Sequence, residues 1–122
     1  MNHLIPIERM GRFDVGPAGS FARIVNGVEY GLPSVSLMMS DVQPGEGPAR
    51  HRHAYDEVFV VEAGRARFLI GDEVVDATPG QVVLVPAGIA HSFANTGDDL
   101  LKLTAVHVAP RVAIEWLDEP AS

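Results

Sequence analysis

Cysteine is absent from this 122-residue chain, which excludes disulfide frameworks, thiol nucleophiles and thiolate metal sites together. Any metal must therefore be held by histidine and carboxylate. Basic residues are few: nine Lys and Arg against sixteen Asp and Glu give a formal charge of -7. That balance excludes the clustered positive charge on which non-specific nucleic-acid binding depends. Long hydrophobic runs are missing too, and nothing approaches the ~18 apolar residues of a membrane-spanning helix. The apolar opening Leu4-Ile5-Pro6-Ile7 has neither the length nor the basic flank of a secretion signal. These absences predict a cytoplasmic protein with no nucleic-acid or membrane partner.

What is present is an ordinary globular balance, 47% hydrophobic and 20% charged, which excludes a disordered chain. A mass of 13.1 kDa predicts a single domain over residues 1–122. Twelve glycines and nine prolines divide it into short segments rich in Val, Ile, Leu and Phe. That punctuation marks short strands joined by turns. The candidate strands are Ser20 to Asn26, Val35 to Met39, Glu57 to Glu62, Arg65 to Ile70, Glu73 to Ala77, Gln81 to Val85, His91 to Ala94 and Leu100 to Val108. Arg111 to Leu117 carries a helical or wrapping pattern that Pro120 closes, and residues 1–34 read as an irregular N-terminal wrap or dimer arm. The expected class is all-β: a sandwich, barrel or jelly roll.

Three histidines and one glutamate stand out by position. His51 and His53 are two apart, so on a strand both face the same way. Glu57 shares their parity and reaches the same face if the strand continues past a kink at Ala54-Tyr55. His91 follows the Pro86-Ala87-Gly88 turn. Imidazoles with one carboxylate suit Fe, Mn, Ni, Zn or Cu, whereas Ca and Mg prefer oxygen shells. Two histidines at i, i+2 do not by themselves establish such a site.

The wider pattern does more. Gly45-x5-His51-x-His53-x3-Glu57-x6-Gly64 and Gly80-x5-Pro86-x-Gly88-x2-His91-x3-Asn95 resemble the two sequence motifs of the cupin superfamily, over residues 45–64 and 80–95. The resemblance implies a double-stranded β-helix, or jelly-roll barrel. It also implies one divalent transition metal per chain, held by His51, His53, Glu57 and His91. In the same reading Gly45, Gly64, Gly80 and Gly88 occupy turns that need positive φ or a missing side chain, and Asn95 orders a turn by bonding backbone.

Around the ligands, Phe59, Val61 and Phe93 share their parity and are the candidate wall of an apolar pocket. Arg52 is expected to point away from the metal face, Tyr55 is a packing or surface residue that can bring a phenol to the entrance, and His107 is expected to be structural, with support of the metal ligands from behind as its alternative. Fold and ligands do not select a reaction. The reading is a metal-dependent oxygenase (dioxygenase) acting on a small organic substrate. Its alternatives are an isomerase or lyase on a sugar acid, which needs Arg50, Arg65, Arg67 or Gln81 at the mouth, and a non-catalytic small-ligand-binding module. Exposed edge strands and the apolar Val112, Ile114, Trp116 and Leu117 predict a homodimer.

Overall fold

The computed structural model describes residues 3–117. Among the described residues, eleven strands form two antiparallel sheets: β1 (Gly11–Asp14), β2 (Phe21–Val25), β3 (Ser36–Val42), β4 (His51–Arg52), β5 (Glu57–Ala63), β6 (Ala66–Ile70), β7 (Glu73–Ala77), β8 (Val82–Val85), β9 (His91–Asn95), β10 (Leu101–His107) and β11 (Glu115–Trp116). One sheet runs β1-β2-β3-β10-β5-β8 and the other β11-β4-β9-β6-β7. The fold is the expected jelly roll. Its helical content among the described residues is two 3-10 turns, Ile7–Arg9 and Gly27–Tyr30, and no helix among them is long and apolar enough to cross a membrane.

Alternating burial shows why these segments pair. Along β10, Leu101, Leu103, Ala105 and His107 point inward while Lys102, Thr104 and Val106 point out. Inward residues of β5, β6, β8 and β9 meet them in one core, where Phe59, Phe68 and Phe93 pack edge to face or tilted with centroids 5.0 to 5.7 Å apart. Each buried phenylalanine contributes roughly 1.5–3 kcal/mol of apolar burial. The trio closes the inter-sheet space below the histidines, with Phe59 6.2 Å from the His91 ring.

The motif glycines behave as mechanical parts. Gly45, Gly64, Gly80 and Gly88 all take positive φ. At Gly64 a Cβ would also stand 2.6 Å from the Leu100 carbonyl oxygen, so the β5–β6 turn has no room for a side chain. Asn95 is fully engaged with backbone: Nδ2 donates to the carbonyls of Val42 (2.9 Å) and Asp99 (2.8 Å), and Oδ1 accepts Gly97 N–H (2.9 Å).

Three expectations need correction. Residues 11–25 are more ordered than an irregular wrap: β1 pairs with β2, and β2 with β3, so the segment extends the six-stranded sheet. Of the two patterns offered for Arg111 to Leu117, the helical one fails and the wrapping one holds: the stretch is an extended strap whose Glu115–Trp116 pairs with His51–Arg52. Pro120 lies outside the described residues. Finally, the strand carrying His51 does not continue to Glu57. The chain leaves the five-stranded sheet at β4 and enters the six-stranded sheet at β5, so Glu57 meets the histidines by crossing between sheets.

Candidate metal centre

Strand register brings the donors together. His51 and His91 are direct partners across β4 and β9, with ring centroids 4.3 Å apart. His53 follows β4 in the crossing segment, its ring 5.1 Å from His51 and 5.3 Å from His91. Glu57 begins β5 and faces them from the opposite sheet. One donor atom from each of His51, His53, Glu57 and His91 lies within 4.8 Å of every other, and all four side chains are buried.

Backbone carbonyls choose the tautomers. His51 Nδ1 donates to Ala49 O (2.8 Å), His53 Nδ1 to Ala113 O (2.7 Å) and His91 Nδ1 to Ile89 O (2.9 Å). A carbonyl can only accept, so in each neutral ring the proton sits on Nδ1 and the Nε2 lone pair is free. Those lone pairs converge on an acidic oxygen: Glu57 Oε1 is 3.0 Å from His91 Nε2 and 3.2 Å from His53 Nε2. The His53 Nε2 is buried and has no hydrogen-bond partner. Three imidazole lone pairs and a carboxylate oxygen around one point repel each other unless a cation lies among them. The residues therefore fit a divalent transition metal, with an N3O donor set.

The electrostatics agree. Burial lowers the pKa of His51 from 6.5 to about 4, aided by its neighbours His91 and His53 and opposed by the Ala49 carbonyl. Burial also acts to lower His53, but the Glu57 carboxylate and the Ala113 carbonyl outweigh it and leave the pKa raised. For Glu57, burial acts upward, and contacts with His107, His53 and His91 overcome it, holding the carboxyl well below the usual range. An ionised, desolvated carboxylate thus sits at the centre of the cluster.

His107 stands against the Glu57 carboxylate. It is the direct register partner of Glu57 across β10 and β5. Its Nε2 lies 2.9 Å from Glu57 Oε2, while Tyr55 Oη is 2.7 Å from its Nδ1. Parity on β10 predicts that His107 faces inward, but nothing in the sequence reveals that it stands opposite Glu57. Tyr55 is half-buried and tied to this histidine, and it also accepts the Ala113 N–H at 3.0 Å.

The centre opens on a cavity of about 680 Å³. Of the three candidate pocket residues, Phe59 and Phe93 line it; Val61 does not, and is 1% exposed within the core below. Of the adjacent methionines Met38 and Met39, which face opposite ways on β3, Met38 lines it too; most of the remaining wall, which the sequence did not reveal, comes from Phe13, Ala22 and Ile24 on one side and from Val112, Ile114 and Trp116 of the strap on the other. No arginine or lysine among the described residues lines it. Arg52 points outward to pair with Glu115, Arg67 pairs with Asp76 at 2.8 Å, and Gln81 accepts the Thr78 N–H.

The family profile described as Cupin domain matches residues 38–107. An uncharacterised protein of Streptomyces coelicolor is 37% identical over 67 residues, which covers 55% of this chain and 64% of that protein. Protein SchB of Streptomyces halstedii is 32% identical over 93 residues, covering 75% of this chain and 67% of its own length. The chain thus spans about two-thirds of these relatives. Among solved structures, the polyketide cyclase RemF from Streptomyces resistomycificus superposes with a TM-score of 0.78 at 17% identity, covering 98% of this chain and 88% of that one. At that identity the likeness is one of fold.

Proposed function

Because the chain belongs to the cupin family, we propose that it is a divalent-metal-dependent enzyme acting on a small, largely apolar organic molecule that bears an oxygen donor. The observation that carries this reading is the joining of a buried His/Glu cluster to an apolar cavity without cationic side chains. His51, His53 and His91 hold the ion through Nε2, and Glu57 through Oε1. Bound there, a transition metal supplies Lewis acidity and, for iron, manganese or copper, one-electron chemistry with dioxygen. The chain's own part is to hold and exclude. Phe59, Phe93 and Trp116 grip the substrate's apolar body, and the inter-sheet burial keeps bulk water from the carboxylate.

Oxygenase chemistry is the first reading, since four protein donors leave an octahedral ion two positions. Its test is oxygen consumption by the Fe(II)-loaded chain over a panel of diketones, phenols and small carboxylic acids. Uptake stoichiometric with product supports the reading; product without uptake rejects it. A second reading is metal-assisted cyclisation of a carbonyl-rich chain. The cavity favours it, being apolar and, at about 680 Å³, large enough for a fused-ring product, and RemF, whose name records such an activity, shares the fold. Sugar-acid chemistry fits less well, because Arg65, Arg67 and Gln81 lie outside the cavity wall and Arg50 is exposed beyond it. The proposal includes a cytoplasmic homodimer, supported by the absence of cysteine and by exposed Val82 and Leu84 on edge strand β8.

A further inference from the structure

Resting on the metal reading above, we propose that His107, held by Tyr55, is a positioning residue that restricts Glu57 to one metal-facing oxygen and thereby keeps a coordination position open toward the cavity. The two carboxylate oxygens face different partners. Oε1 looks toward His53 and His91, at 3.2 and 3.0 Å, and Oε2 toward His107 Nε2, at 2.9 Å. The last contact is short but off the axis of a hydrogen bond. Both groups are almost fully buried, His107 at 1% and Glu57 at 3% exposure, so no bulk water mediates between them.

The proton between them can be placed from the surrounding bonds. Tyr55 Oη accepts the Ala113 N–H at 3.0 Å, and its one proton has two oxygen or nitrogen neighbours: His107 Nδ1 at 2.7 Å and Ala113 O at 3.2 Å. The nearer of the two is His107 Nδ1, and on the far side of that ring Nε2 faces a carboxylate oxygen that can only accept, so the phenol donates to His107 Nδ1. A neutral imidazole that accepts at Nδ1 carries its proton on Nε2, facing Glu57 Oε2. That oxygen therefore faces a protonated nitrogen 2.9 Å away, which attracts it by charge although the contact lies off the hydrogen-bond axis. Carboxylates bind metals through one oxygen or two; here the second is withheld. A chelating Glu57 would take one of the two positions that an octahedral ion otherwise presents to the cavity, which His107 itself lines.

The test uses the full chain loaded with Co(II), with azide as the probe of the open position, in wild type, His107→Phe, His107→Gln and Tyr55→Phe. Circular dichroism establishes folding and visible absorption reports the cobalt coordination. Wild type is expected to take up Co(II) and bind azide. In His107→Phe the ring volume remains but the donor is lost; cobalt still binds, its affinity lowered by no more than the about 10- to 100-fold typical of removing an outer partner of a metal ligand, while azide affinity falls because Glu57 now chelates. The glutamine variant keeps an N–H donor and is expected to recover affinity to within a few-fold of wild type. Tyr55→Phe is expected to shift azide affinity in the same direction as His107→Phe, and it decides the matter if the latter does not fold. Azide affinity unchanged in the phenylalanine variants overturns the proposal alone. So does the loss of one cobalt-bound imidazole in His107→Phe, because His107 is then a ligand. Failure of wild type to take up Co(II) overturns the metal reading and this inference together.

Discussion

Replacing Glu57 by glutamine separates the metal's contribution to stability from that of the fold. The amide keeps the side chain's volume but removes the one negative charge toward which the Nε2 atoms of His53, His91 and His107 are gathered, at 3.2, 3.0 and 2.9 Å. Ligand binding to the native state stabilises it by RT ln(1 + [L]/Kd), about 2.7 kcal/mol when free metal is 100 times Kd. With an unfolding entropy of about 2.1 cal/mol/K per residue, a chain of this length converts that into a Tm rise of about 10 °C. If loss of the charged donor weakens binding on the order of 100-fold, the same metal concentration stabilises the variant by only about 0.4 kcal/mol, or less than about 2 °C. The assay is a thermal melt at pH 7.5 with and without Mn(II), Fe(II), Ni(II) or Zn(II), for both proteins. The metal-free variant should remain folded, because the Phe59, Phe68 and Phe93 core is untouched. A metal-dependent rise in Glu57→Gln equal to that of wild type would refute the reasoning.

Three further outcomes follow from particular contacts. His91→Ala removes a ring that is 1% exposed and whose Nε2 stands 3.0 Å from Glu57 Oε1; equilibrium dialysis should show weakened metal binding, and unaltered binding would remove His91 from the site. In the metal-free protein, the His51 pKa of about 4 against an ordinary 6.5 means that the unfolded chain takes up this proton before the folded one does. Stability is therefore lost as pH falls from 6.5 toward 4, by on the order of 3 kcal/mol. His53, with its raised pKa, works in the opposite sense, so urea melts of wild type against His51→Phe at pH 4.5 and 7.5 isolate the effect; equal pH slopes would count against it. Ser36 Oγ accepts Gly27 N–H at 3.0 Å and donates to Ala109 O at 2.9 Å while 1% exposed, so Ser36→Ala should cost about 1–3 kcal/mol by urea denaturation, and a loss below about 0.5 kcal/mol would mean that the two groups find other partners.

Local chemistry determined much of this protein from sequence. Glycine and proline spacing, with the alternation of Val, Phe and Leu, is enough to specify short antiparallel strands, because turn conformation and side-chain parity depend on nearest neighbours. Spacing made His51, His53, Glu57 and His91 candidates, the resemblance to the cupin motifs made them a donor set, and side-chain parity placed Arg52 on the outer face. Parity says which way a residue points but not what stands opposite it; that depends on register, and register depends on the whole topology. Hence His107 was legible as an inward residue but not as the partner of Glu57, and the Tyr55 hydroxyl could not be connected to either. The carbonyls of Ala49, Ile89 and Ala113, which choose the imidazole tautomers, carry no side-chain signature at all. Glu57 reached the histidines not by continuing their strand but because the chain changes sheets between β4 and β5, and the cavity wall was assembled from β1 to β3 and the strap at residues 112–116, far apart in sequence. The donors were written into the chain; their protonation, their partners and the space in front of them came from the closure of one sheet over the other.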